Sequence, residues 1–219
     1  MPGPDSPDIL RRGPGPWRAR RPLAAALAAI AAGVVLAVAG TPEASAGTIQ
    51  GQLQAAVDSG TMTAEERTQT LAAYRSLGKM TGSDWKVMRN TVRRLASEDR
   101  LADLAPSVHA SLAVAARRGD APAGTRDRAR GSAIVVQRMA GSGWWFHPLA
   151  SAGQRNALAQ DRRTSVRTLT TAADGLLRLG RRTERGLRFE YLFAWDGAGP
   201  GWISAMPQAT MASALARVS

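Results

Sequence analysis

Apolar residues recur three and four positions apart along much of this chain, a period typical of helices that bury one face. Thr63 opens the first predicted helix, and Glu66 stands where it completes a capping box with Thr63. A second helix is predicted from Ser83 or Asp84. A third is predicted from Pro106, because proline is tolerated in a first helical turn but not deeper. The apolar stripes are Leu71, Tyr74 and Leu77; Trp85, Met88, Val92 and Leu95; and Leu101, Leu104, Val108, Leu112 and Ala115.

The second half of the chain mixes this period with short strands. Residues 133–136 are mostly β-branched and predict one strand. A helix is predicted over 148–159, and another after Thr164 or Ser165. Large apolar residues at every second position over 187–195 predict a further strand.

The last predicted helix begins after Ser204, which we expect to cap it. Pro207 falls in its first turn, where the missing N–H costs little. The helix is apolar nearly all the way round, so we expect it to be buried on every side, with Met206 and Ala209 facing the core. The elements together predict a mainly α fold of helical hairpins with a few antiparallel strands.

The first 46 residues have the three parts of a secretory signal. Arg18, Arg20 and Arg21 precede an apolar run over 23–40, and a small-residue motif ends at Ala46. We expect cleavage near Ala46; an uncleaved signal anchor is the rival interpretation, and the choice between the general secretory route and twin-arginine export stays open.

After the signal we predict a linker over 47–60 and one domain over 61–219, with a polar loop at 117–132. The absence of cysteine excludes disulfides, thiol chemistry and cysteine-based metal sites. No second histidine has metal-ligand spacing to His147, so we predict neither a metal nor a cofactor.

The chain is strongly basic, with a net charge of +12. The first 46 residues carry five arginines and three acidic residues, so the remainder keeps 24 basic and 14 acidic residues. For an exported arginine-rich domain we expect an acidic polysaccharide as partner rather than nucleic acid, and membrane contact only through an uncleaved signal. A high genomic GC content, which favours arginine and alanine, would explain the charge equally well. The sequence leaves open whether the protein forms a homodimer.

Three segments occur together in one known family. They are the aromatic-His-Pro-Leu-Ala-x-x-Gly-x-x-Asn-Ala-Leu element at 145–158, the segment 189–195, and the Pro-Gly-Trp-Ile-Ser-Ala-Met-x-Gln element at 200–208. In this order they resemble the C-terminal domain of D-glucuronyl C5-epimerases, and the preceding helices resemble the N-terminal extension of exported actinobacterial members. The resemblance covers most of residues 61–219.

This resemblance implies an α/α-toroid around a polysaccharide cleft and inversion of uronate C5 by proton abstraction and reprotonation from the opposite face. That chemistry needs an acid or base on each side of the sugar and a cation near the carboxylate. Tyrosines and a glutamate carry the proton transfers in such enzymes, which leaves Tyr191 and Glu190 as weak catalytic candidates here. Much of the family's catalytic constellation lies beyond its Gly-Trp-Ile-Ser element, and this sequence ends at Ser219. We therefore expect an incomplete toroid with little or no epimerase activity.

The same segments supply candidate contacts to the sugar. Tryptophans can stack on a pyranose and arginines can pair with a uronate, although each residue has a structural alternative, which we favour for His147. The Glu190–Arg188 pair is expected at the surface or cleft edge. The substrate-binding candidates are Trp145, His147, Arg155, Asn156, Arg188, Trp202, Ser204 and Gln208.

The sequence thus predicts an exported C5-epimerase-like protein acting on uronic-acid-containing polysaccharide. One alternative is a non-catalytic protein that binds acidic polysaccharide at the cell envelope. The other is a polysaccharide lyase, whose reaction begins with the same proton abstraction.

Overall fold

The computed structural model describes residues 47–217, and the predicted signal segment lies outside them. The described chain is mainly helical with a few antiparallel strands, as predicted. The toroidal arrangement stays a prediction. The helices are α1 (Ile49–Asp58), α2 (Ala64–Leu77), α3 (Ser83–Ser97), α4 (Leu101–Arg118), α5 (Pro148–Gln160), α6 (Val166–Leu179) and α7 (Ala205–Ala216). The strands are β1 (Arg126–Asp127), β2 (Val136–Met139), β3 (Gly143–Phe146), β4 (Arg181–Thr183) and β5 (Gly186–Arg188).

Helices α1 to α4 pack around the larger apolar core, into which β2 and β3 also insert. The predicted capping box is confirmed: Thr63 Oγ1 accepts from the Glu66 N–H at 3.1 Å, and the Glu66 carboxylate accepts from the Thr63 N–H at 2.8 Å. The start of α3 at Ser83 is also confirmed. All five predicted stripe residues of α4 are buried, as are the four of α3.

The predicted linker over 47–60 is wrong, because most of this segment forms α1. Leu53 is fully buried, and the Gln52 side chain binds both the Ala96 carbonyl at 3.1 Å and the Asp99 carboxylate at 2.6 Å. The Gln52 amide oxygen also accepts from the Ala102 N–H at 3.2 Å. The segment is ordered because its polar groups are satisfied by the corner between α3 and α4.

The predicted start of the third helix at Pro106 is also wrong. Helix α4 begins at Leu101, and Pro106 lies inside it, in the second turn. A proline there forfeits one backbone hydrogen bond, to the Ala102 carbonyl. Burial of the helix against α1, α2 and β3 offsets that loss, since Leu101, Leu104 and Pro106 all lie in the core.

Strands β1, β2 and β3 form an antiparallel sheet in that order. The strand predicted over 133–136 is displaced, since pairing begins only at Val136, opposite Phe146. Val135 is held instead by α5: its N–H donates to Ser151 Oγ at 2.9 Å, and its carbonyl accepts from the His147 N–H at 2.9 Å. The predicted helix starts at Pro148 and after Ser165 are confirmed.

A second core lies among α5, α6 and α7, beside the β4–β5 hairpin. The strand predicted over 187–195 ends at Arg188. The Gln208 side chain then takes both backbone groups of Phe189, at 3.1 and 2.6 Å, so the chain leaves the ladder. Residues 189–193 are consecutively buried, which strict alternation cannot produce.

Helix α7 is not buried on every side. Its buried residues are Pro207, Met211 and Ala214, whereas Met206 and Ala209 are exposed, against expectation. The helix packs mainly on α5, and this packing sets its buried face. Ser204 stands at the N-cap position, but its hydroxyl makes no capping bond. Within residues 47–217 no helix combines the length and hydrophobicity needed to cross a bilayer.

Candidate functional site

Three of the predicted site residues meet in an aromatic cluster at the start of α5. Tyr191 stacks on Trp202, with ring centroids 4.2 Å apart, and meets His147 edge-on at 5.3 Å. Phe193 closes the cluster against both Tyr191 and Trp202. Because a backbone bridge joins Tyr191 to Trp202, the segments 189–195 and 200–208 of the resemblance are adjacent in space.

His147 is the N-cap of α5, and its Nδ1 accepts from the Ala150 N–H at 3.2 Å. The neutral ring therefore carries its proton on Nε2. Burial, and then the positive charge of Arg126, lower the pKa of His147 below its ordinary value. The structural role that we favoured is thus present in the form of a helix cap, and the imidazole is neutral at pH 7.

Tyr191 is only 4% exposed. Burial raises the pKa of its phenol, partly opposed by the Leu149 backbone N–H. The phenol is therefore neutral and enclosed, so in the described conformation it is not a base that a sugar can reach.

Glu190 is not the surface or cleft-edge residue that we expected, and it does not pair with Arg188. It is buried, and its carboxylate binds Arg100 at 2.5 Å and Arg181 at 3.3 Å. Arg188 lies instead on β5 opposite Arg181. Each oxygen of this carboxylate is engaged by one guanidinium, so Glu190 is a structural ion-pair centre.

Other predicted contacts serve the fold. Trp145 is fully buried on β3, and its indole N–H donates to the Ser142 carbonyl at 2.7 Å. Gln208 is committed to the backbone of Phe189. These two side chains are therefore occupied by intramolecular hydrogen bonds.

The remaining candidates, on α5 and before α7, lack such ties. Asn156 is half-buried, and its Oδ1 has no hydrogen-bond partner among the described residues. Arg155 is completely buried, and none of its three guanidinium nitrogens has a hydrogen-bond partner in that part of the chain. Ser204 is half-buried at the start of α7.

A groove of about 520 Å³ lies between β1 and the exposed face of α5. It reaches the aromatic cluster at Ala150, which lines the groove and donates its N–H to His147. Its volume falls within the usual range of small-molecule sites. Arg126 Nε donates to the Gln137 amide oxygen at 2.8 Å, and Arg128 Nη1 donates to the amide oxygen of Gln154. The groove is lined by Arg126, Arg128, Val135, Ala150, Gly153 and Gln154.

The positive charges of Arg126 and Arg128 are not neutralised by a carboxylate within residues 47–217. Each is held by a neutral amide, and neither forms an ion pair within residues 47–217. By contrast Arg117 and Arg118, from the same part of the chain, are both bound to the buried Asp127. We did not single out Arg126 and Arg128 from the sequence. The available signal was their spacing of two positions in the polar loop, which in an extended chain places both on the same side.

A second cavity, of about 510 Å³, lies between the α1–α2 turn and the end of α6. It combines the acidic side chains of Asp103 and Asp174 with the basic side chains of Arg178 and Arg182. Arg178 is already bound to Glu66, and Asp103 to Arg181. Because the cavity holds two acidic and two basic side chains, it lacks the net positive charge of the groove.

No family model, curated protein or solved structure matches this chain. Among the described residues there is also no cluster of histidine, aspartate and glutamate side chains suited to a metal ion. The resemblance to the epimerases stays a prediction.

Proposed function

We propose that this protein is exported and binds a uronic-acid-containing polysaccharide at the cell envelope, as an epimerase-like protein whose described residues supply binding rather than catalysis. The observation that carries the proposal is the groove with two charged, unneutralised arginines. Export is inferred from the signal-like first 46 residues alone.

The groove suits carboxylates because a guanidinium can donate two parallel hydrogen bonds to one carboxylate. Gln137 and Gln154 restrict the motion of Arg126 and Arg128 without cancelling their charge. Both arginines are exposed, so a polymer can reach them from solvent. A chain with one uronate in each repeating unit presents carboxylates in series to such a surface.

Catalysis by these residues is disfavoured because no acid–base pair among them flanks an open site. Glu190 is engaged by two arginines, Tyr191 is enclosed, and His147 caps a helix through its unprotonated nitrogen. A lyase requires the same proton abstraction from C5, so the same residues disfavour it equally.

Uronate C5 epimerisation is the second candidate function. The observation in its favour is that the aromatic cluster adjoins the groove, because Ala150, which lines the groove, donates its N–H to His147 at 3.2 Å. For epimerisation, Tyr191 must become accessible and a second proton-transfer group must face it across the sugar.

Binding is tested with heparosan as the polymer and dextran as the neutral control, by calorimetry on the full chain. The Arg126→Gln/Arg128→Gln variant should lose about 10- to 100-fold in affinity for heparosan, the range expected for losing one or two solvent-exposed charged contacts. The matched control is Arg75→Gln/Lys79→Gln, which removes two exposed charges at the end of α2, away from the groove.

Equal losses in the two double variants would show that net charge alone drives binding and would refute the groove. Binding of dextran as tightly as heparosan would refute the preference for acidic polymers. Catalysis is checked separately: hydrogen exchange at C5 in heavy water would indicate an epimerase, and an unsaturated product absorbing in the ultraviolet would indicate a lyase.

A further inference from the structure

Arg155 is the most anomalous side chain in the described part of the chain. Its exposed fraction is 0%, and Nε, Nη1 and Nη2 all lack a hydrogen-bond partner within residues 47–217. No carboxylate in that range lies within ion-pair distance of it. The other buried arginine, Arg138, is bound by both Asp84 and Asp120.

The position of Arg155 follows from the helix period. Pro148, Ser151, Ala152 and Arg155 form the buried stripe of α5, whereas Gly153 on the groove side is exposed. Ala152 belongs to the same apolar cluster as Met211 and Ala214 of α7. The guanidinium is thus carried on the face of α5 that packs inward.

A buried charge without a partner is strongly unfavourable, because the charge has lost its hydrating water and gains no opposite charge in the protein interior. Burial accordingly lowers the pKa of Arg155 below its ordinary value. Arginine nevertheless keeps its proton under all ordinary conditions, so it cannot escape the cost by becoming neutral. A buried polar group without a partner requires an explanation, and a bound ion or ligand is one.

We propose that Arg155 is an internal binding site for a carboxylate. A planar guanidinium with free N–H groups on two edges matches the two oxygens of a carboxylate, which also supplies the missing negative charge. The carboxylate comes either from a uronate of the bound polymer or from a small free acid. Only the first source rests on the proposed function.

Access to the site requires a local opening, because Arg155 has no exposed surface. Helix α7 packs on α5, and its buried residues are Pro207, Met211 and Ala214. The first turn of α7 is not fixed by a side-chain cap, because the Ser204 hydroxyl makes no capping hydrogen bond. A carboxylate that enters between α5 and α7 would bind the folded protein only, and would therefore raise its melting temperature.

The test measures the melting temperature of the full chain in a buffer that itself contains no chloride. Sodium glucuronate, glucose or sodium chloride is added to this buffer in separate series, at constant ionic strength. For the wild type we expect a saturating rise of about 5–10 °C when glucuronate reaches roughly 100 times its Kd. We expect no comparable rise with glucose or chloride. A chloride effect equal to that of glucuronate would overturn the assignment to carboxylates.

Two substitutions separate a binding role from a structural one. Arg155→Met should melt at a higher temperature than the wild type without ligand, since it removes a buried charge at similar volume, and should lose the glucuronate response. Arg155→Lys keeps the charge but not the paired donors, and should retain a reduced response. The exposed control Arg75→Met should respond like the wild type.

A full glucuronate response in Arg155→Met, or in Arg155→Lys if the methionine variant does not fold, would overturn the proposal. The groove is independently testable. Arg126→Gln/Arg128→Gln should lose heparosan affinity yet keep the glucuronate response. Failure of the internal site and failure of the proposed function therefore give different results.

Discussion

Replacing Glu190 by glutamine tests whether this residue is catalytic or structural. The substitution keeps the size of the side chain and removes the charge that Arg100 and Arg181 share. Because the Glu190 side chain is 2% exposed and its ion pairs measure 2.5 and 3.3 Å, the loss approaches that of breaking a buried ion pair. Such losses are about 3–5 kcal/mol when both partners are buried.

The two arginines are partly exposed, at 22% and 27%, so water can solvate them after the change. We therefore expect the free energy of unfolding to fall by about 2–3 kcal/mol. For a domain of this size the melting temperature should fall by roughly 4–12 °C. Glu98→Gln is the matched control, because Glu98 also binds Arg100, at 3.2 Å, but is 34% exposed. It should cost at most about 1 kcal/mol.

Urea denaturation followed by far-ultraviolet circular dichroism gives both free energies. If Glu190→Gln is no less stable than Glu98→Gln, the reasoning from burial is wrong and Glu190 is free for another role. A catalytic Glu190 would instead leave stability nearly unchanged while abolishing C5 exchange.

Three further predictions concern stability. Gly143→Ala should lower the free energy of unfolding, measured by denaturation, by about 2–4 kcal/mol, because Gly143 has φ of 89° and a Cβ there would collide with Met88. An unchanged denaturation midpoint would contradict the close approach of Met88 to the start of β3. Gln208→Leu should cost about 1–3 kcal/mol by orphaning the Phe189 backbone, and a variant as stable as wild type would leave Gln208 available to a ligand. Because folding lowers the pKa of His147, the unfolded chain takes up a proton at a higher pH than the folded chain does. The stability contributed by neutral His147 is therefore complete above the ordinary histidine pKa of 6.5 and declines as the pH falls below that value. His147→Asn, which keeps a helix cap, should make the fall in melting temperature between about pH 7 and pH 5 shallower, and an identical pH profile would exclude His147 as its cause.

The sequence predicted helices well where an apolar stripe and a capping residue coincide. Thr63 and Ser165 marked helix starts correctly because their side-chain bonds are local. The errors arose where distant contacts decide. Gln52 orders α1 through α3 and α4, and the core tolerates Pro106 inside α4. Local rules carry no information about such partners.

The candidate site was predictable only in part. His147, Tyr191 and Trp202 were named from the sequence, and they do meet. The roles of Glu190 and Gln208 could not be read from neighbouring residues, because their partners lie 9 to 90 positions away along the chain. The groove could not be predicted for the same reason. Its positive charge remains available to a ligand because no acidic side chain of residues 47–217 forms an ion pair with Arg126 or Arg128.

Proton NMR of heparosan in heavy water distinguishes binding from catalysis, because one spectrum reports both binding of the polymer and hydrogen exchange at C5. We predict that the wild type broadens the uronate signals and that Arg126→Gln/Arg128→Gln broadens them far less. The H5 signal should keep its intensity with both proteins. Equal broadening by both proteins would contradict the groove as the binding site. Loss of H5 intensity with the wild type would contradict binding without catalysis.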